Sequence, residues 1–222
     1  MRNLMILLMC GCGGASAKYH VDDAALASLS MQEKQGIFAA QNEKNQAQAE
    51  FDSYKANYRN VDHDIDIADN EYKTAKLQLD TAKITLKSAE QASDVNRKQT
   101  AQRDVQVAEL GVKAADAKVD WLKKKRKWIG YSQDAAERHV AEADARAELE
   151  KAKLAQAKGI KPDEKFDPML YEQDYQEKAR KYNDAKLEAD RAKPDVDGKE
   201  REYMTQQQAY DQARSNAMSM PH

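Results

Sequence analysis

Residues 72–90 read YKTAKLQLDTAKITLKSAE. Tyr72, Ala75, Leu79, Ala82, Leu86 and Ala89 recur at alternating steps of three and four. Sustained over many turns, that period marks a coiled-coil seam rather than the broader apolar stripe of an ordinary surface helix. The same phase runs back through Ala68, Ile65, Val61, Tyr58, Tyr54, Phe51, Ala47, Lys44, Ala40 and Ile37, with Lys44 the one polar member. Ile, Phe, Tyr and Leu fill one seam position and mostly Ala fills the other. Large residues alternating with small ones favour close antiparallel packing.

A second seam follows, from Ala101, Val105, Ala108, Val112, Ala115, Val119 and Leu122 through Ile129, Ala136, Val140 and Ala147 to Leu154 and Ala157. Arg126, Gln133 and Glu150 interrupt it. Between the two seams lies SDVNRKQ, residues 93–99, whose Ser93, Asp94 and Asn96 compete for local backbone hydrogen bonds. A reversal there brings Leu79 to Val112, Ala68 to Leu122, Val61 to Ile129, Phe51 to Val140 and Ile37 to Leu154. The position numbers of opposed residues add to the same total, within one, in every pair. The sequence therefore predicts an all-α fold built on an elongated antiparallel coiled-coil hairpin, arms about 31–92 and 96–158, each about 90 Å long at 1.5 Å per residue. The alternative is one continuous rod that dimerises with itself, since no Pro or Gly forces the turn.

Past the hairpin, Gly159 and Pro162 stop the second arm and leave 159–167 as a linker. Asp167 before Pro168 reads as an N-cap with proline in the first turn. A third helix, about 168–217, carries Tyr171, Tyr175, Tyr182, Ala185, Ala189 and Ala192. Pro194 kinks it, because proline removes a backbone donor and crowds the preceding turn. The phase nevertheless resumes at Val196, Tyr203 and Tyr210, so this helix is expected to continue and pack along the hairpin, with 218–222 a frayed tail.

The composition agrees. A third of the 222 residues are charged, the formal net charge is −2, and there are eight Gly and four Pro. Near-neutral charge argues against a nucleic-acid partner. Both cysteines, Cys10 and Cys12, lie in the opening MRNLMILLMCGCGGASA. Arg2, the apolar run Leu4–Met9 and the small residues after it have the form of a targeting signal, and the run is too short to span a bilayer. Two processing sites compete. The MCGC stretch has a lipobox form that makes 1–11 a signal peptide, Cys12 the lipidated residue and 12–30 a tether. The ASA at 15–17 instead suits cleavage after Ala17, which frees Lys18 into the periplasm or medium.

Residues 121–128, WLKKKRKW, place Lys123, Lys124, Lys125, Arg126 and Lys127 in a row between two tryptophans. Five consecutive helical residues wrap more than a full turn and cannot share one partner. The hairpin register points them at VDHDIDIAD, 61–69, with Asp62, Asp64, Asp66 and Asp69. Opposed charge blocks beside a seam fix its register, because a slip of one heptad breaks several pairs together. Lipid headgroups or another polyanion are the competing partners for the basic run. A metal at Asp62, Asp66, Asp69 and His63 lacks the His or Cys set that zinc prefers and the Gly-centred calcium loop. No nucleophile elbow, phosphate loop or pocketed carboxylate pair is visible, so neither catalytic residue nor cofactor is assigned, and an enzyme is not expected. The seam tyrosines read as packing. Lys44 and Glu150, one layer apart across the hairpin, read as a buried or half-buried ion pair.

The lipobox, short small-residue tether and Ala-rich heptads such as 72–90 resemble long-helix envelope lipoproteins of Gram-negative bacteria. The resemblance implies palmitate-type acylation of Cys12 and, with Gly13 rather than Asp after it, an outer-membrane anchor facing the periplasm. It implies a structural or partner-binding role, with other envelope proteins as partners and no active site. A periplasmic holdase gripping clients between helical arms is the alternative. The sequence is compatible with a monomer or a homo-oligomer.

Overall fold

The computed structural model describes residues 17–92 and 94–219. Three long helices carry the chain: α1 (Gln35–Gln91), α2 (Val95–Ala157) and α3 (Pro168–Ser219). A short 3-10 helix, Asp23–Leu26, precedes them, and no strand occurs among the described residues. The architecture is the antiparallel hairpin with a third helix packed on it.

Four of the helix ends have a local cause. Ser30 and Glu33 form a reciprocal cap: the Ser30 N–H and Oγ donate to Glu33 Oε2 at 2.8 Å each, and the Glu33 N–H reaches back to Ser30 Oγ at 3.4 Å. That capped turn occupies 31–34, which is why α1 begins at Gln35 rather than near 31. Asp94 Oδ1 accepts the N–H groups of Asn96 and Arg97, so α2 starts with an aspartate cap. Its other end closes in a Schellman motif. The Ile160 N–H donates to the Ala155 carbonyl at 2.9 Å, the Gly159 N–H to that of Gln156 at 3.1 Å, and Gly159 has φ +63°. Asp167 Oδ1 caps α3 through the Met169 N–H. Helix α3 passes through Pro194 without a break.

By internal contacts the chain divides into two compact units, Met1–Ser53 with Gln133–Lys186, and Tyr54–Ser132 with Leu187–His222. In the second unit, Val61 and Ala68 of α1 are buried against Val119, Leu122 and Ile129 of α2, flanked by Tyr54, Tyr58, Ile65 and Tyr72. Ala68 is completely buried; its small side chain is what lets the two backbones close on each other. Each fully buried Val, Leu or Ile contributes about 1.5–3 kcal/mol. Here α3 docks on α2 through Tyr203, stacked on Trp121 at 5.4 Å and 7°, and through Tyr210 beside Gly111. A Cβ at position 111 would lie 3.0 Å from the Tyr210 ring, so glycine permits the close approach.

The first unit has a different core. Val21, Leu26, Ile37, Leu149, Ala152, Ala155 and Tyr171 are buried together. Two of these, Val21 and Leu26, belong to the stretch read from the sequence as a tether. Residues 17–29 are not a loose tether: they dock as a strap on the helices. The stretch 1–11 expected to be a signal peptide, Cys12 and the residues to 16 lie outside the described residues, as do 93 and 220–222.

Candidate functional site

The strap binds through its backbone. An extended segment has N–H groups with no helical partner, and burying them unbonded costs about 1–3 kcal/mol each. Carboxylates on the flanking helices take them up. The Ala17 N–H donates to Asp144 Oδ2 at 2.7 Å, the Lys18 N–H to Asp174 Oδ2 at 2.8 Å, and the Val21 N–H to Glu148 Oε2 at 2.8 Å. Asp144 and Glu148 are one turn apart on α2; Asp174 stands on α3. All three acids are buried, as are Ala17 and Val21. Tyr171 Oη donates to the His20 carbonyl at 3.1 Å.

Lysines bond two of the three acids. Lys44 Nζ sits 2.5 Å from Asp144 Oδ1. Lys151, one turn beyond Glu148, bonds Glu148 at 3.0 Å and Asp23 at 2.8 Å, and His20 Nδ1 lies 3.2 Å from Glu148. Burial pushes the Asp144 carboxyl upward, but the bonds from Lys44 and Ala17 outweigh it and hold the group below its ordinary value. Lys151 follows the same logic with the sign reversed: burial favours the neutral amine, and the bonds to Asp23 and Glu148 overcome that and raise it. Glu142 differs. Burial dominates and raises its carboxyl, with the Tyr175 hydroxyl as a hydrogen-bond partner. Farther along, Glu33 is held down to about 2, chiefly by the Lys158 ammonium and then by Ser30.

The Lys44–Glu150 pair expected from the sequence is replaced by Lys44–Asp144. Glu150 bonds Lys153 on its own helix at 3.3 Å. The substitution has a simple cause, since Asp144 already receives the strap and gains most from a cation.

The basic run divides its partners. Arg126 Nε meets Asp62 at 2.5 Å and Lys123 lies 3.9 Å from Asp69, both across the hairpin. Lys124 turns instead to Asp195 of α3 at 3.3 Å. Lys125 lies over the Trp121 ring at 5.1 Å, Lys127 over Tyr131 at 5.6 Å, and Arg126 also over Tyr58. Asp64 and Asp66 are exposed and stand outside the ion pairs across the hairpin. The tryptophans face α3, Trp121 through Tyr203 and Trp128 through Lys193 at 5.0 Å. Among the described residues no group of three or more His, Cys, Asp or Glu is placed to hold a metal, and no helix is long and apolar enough to cross a membrane.

The heptad pattern does not reveal the strap site. Its signal lay in AEADARAELEKAKLA, residues 141–155, where Ala occupies 141, 143, 145, 147, 152 and 155. Small residues on every side of one helix mark a segment surrounded on several faces. No protein-family model matches the chain, and no curated protein or solved structure is significantly similar to it.

Proposed function

We propose that the chain is a coiled-coil scaffold of the cell envelope, anchored through a lipid on Cys12, facing the periplasm, and presenting helix faces to protein partners. The observation that carries this reading is the place of Ala17. It is 5% exposed and its N–H is bonded to Asp144. Cleavage before Cys12 keeps Ala17 in the folded body, whereas cleavage after Ala17 removes it and leaves Asp144 without that donor. Four residues separate Cys12 from Ala17, and the five steps between them reach at most about 18 Å when fully extended. A lipid at Cys12 therefore holds the strap end of the first unit close to the bilayer surface. A single acyl chain anchors only marginally, so stable attachment takes a multiply acylated cysteine.

The test is metabolic labelling with a palmitate analogue, followed by separation of inner membrane, outer membrane and soluble periplasm. Wild type is expected to carry label and to sediment with the outer membrane, while Cys12→Ser loses both. Label that persists in Cys12→Ser, or an unlabelled wild type found in the soluble fraction, overturns the reading.

A further inference from the structure

Helix α1 carries a second seam besides the one that faces α2. Ile67, Asn70, Thr74, Leu77, Thr81 and Ile84 repeat at the same steps of three and four, and all six are exposed, Leu77 at 68% and Ile84 at 71%. The Thr74 and Thr81 hydroxyls donate back to the Asn70 and Leu77 carbonyls at 2.9 Å each. Their polar groups are thus satisfied within the helix, and their methyls are what a neighbour would meet. On one flank the stripe borders a groove of about 790 Å³ in the second unit, floored by Gly111, Ala114 and Ala115 and walled by Tyr203 and Tyr210 of α3.

The other flank carries one charge per heptad: Arg59, Asp66, Lys73, Asp80 and Lys87, all exposed and strictly alternating in sign. Among the described residues of this unit the ion pairs from α1 to α2 run through Asp62, Asp69, Glu71 and Glu90, leaving these five outside them.

We propose that this stripe is the interface with a second copy of the chain, the two α1 helices pairing antiparallel about a two-fold axis between Thr74 and Leu77. The order of residues is self-complementary about that point. Thr74 meets Leu77 of the copy, Asn70 meets Thr81 and Ile67 meets Ile84, so each layer is made twice, as an isologous contact requires. The flanking charges match in the same register: Lys73 against Asp80 and Asp66 against Lys87. A slip of one heptad either way puts like charges together throughout, Asp80 on Asp80 or Lys73 on Lys73. A parallel pairing sets Asp66 against Glu71. Flanking charges choose orientation and register in coiled coils, and here they choose one. The groove flank, with Gln78 and Thr85, brings no charge conflict.

The proposal is tested on the full chain, purified in mild detergent, by zero-length carbodiimide cross-linking and sedimentation at micromolar concentration. A dimer bearing a Lys87–Asp66 link is expected; 21 residues of helix, about 30 Å, separate those two within one chain. The double variant Lys73→Glu, Lys87→Glu is expected to lose the dimer with its helical circular dichroism unchanged. Adding Asp66→Lys and Asp80→Lys is expected to restore it. A monomeric wild type, a dimer lacking that link, or a dimer that survives the double reversal overturns the proposal. None of these outcomes bears on lipid attachment at Cys12.

Discussion

Replacing Glu148 by alanine removes the central clasp of the strap. In the folded protein this carboxylate accepts the Val21 N–H at 2.8 Å and bonds Lys151 at 3.0 Å. Val21 is 3% exposed, so its N–H finds no water in place of the lost acceptor. Lys151 keeps only Asp23, whose side chain is 79% exposed. A hydrogen bond to a charged group contributes about 1.5–3 kcal/mol, and stranding a buried donor costs about 1–3 kcal/mol. These overlap, and a net loss of about 3 kcal/mol is expected. Glu148→Gln retains an acceptor oxygen for Val21 and should lose about 1 kcal/mol. Native-state hydrogen exchange reads the site directly. With tenfold per 1.4 kcal/mol, Val21 amide exchange should quicken on the order of a hundredfold in Glu148→Ala. Trypsin should also cut after Lys18 sooner than in wild type. Unchanged Val21 exchange together with unchanged cleavage at Lys18 would refute the claim that helix carboxylates hold the strap.

Other perturbations read other parts of the structure. Gly159→Ala forces a β-carbon onto a residue with φ +63° and should cost about 1 kcal/mol in urea unfolding, with Gly159→Asn costing less. Lys158→Ala should return the Glu33 carboxyl from about 2 toward the ordinary glutamate value, followed by NMR titration. Glu142 has a raised carboxyl, so the folded state favours its protonated form; the stability this brings is complete below the unfolded pKa and is lost as pH rises through the folded one. Glu142→Gln should therefore raise the thermal midpoint at pH 7, and the advantage should vanish on acidification below the ordinary glutamate range. Reversing Asp62 and Arg126 singly and together should give a coupling of at most about 1 kcal/mol, because both side chains are nearly half exposed.

The hairpin was legible because its information is periodic. Ile37, Val61, Ala68, Leu122 and Ile129 each sit where a period of 3.5 residues and one reversal put them, and Gly159, Asp167 and Pro168 mark ends by local chemistry alone. The charge blocks were placed by the same arithmetic, but the partners of individual side chains were not. Lys124 goes to Asp195 because α3 lies within reach, and no pairing of two seams contains that third helix. The strap escaped for a related reason. Ala17, Lys18 and Val21 bind through backbone N–H groups, which every residue has, so no side-chain pattern announces them. Their acceptors, Asp144, Glu148 and Asp174, look in sequence like any solvated acids on a charged helix. The second stripe on α1 was hidden by Thr74 and Thr81, which count as polar until their hydroxyls are seen to bond within the helix.

The anchoring of this strap is tested most directly by the mass of the N-terminal peptide from the protein extracted from cell membranes. The account predicts a peptide that begins at Cys12, carries acyl chains and retains Ala17. An unmodified peptide beginning at Lys18 would contradict it.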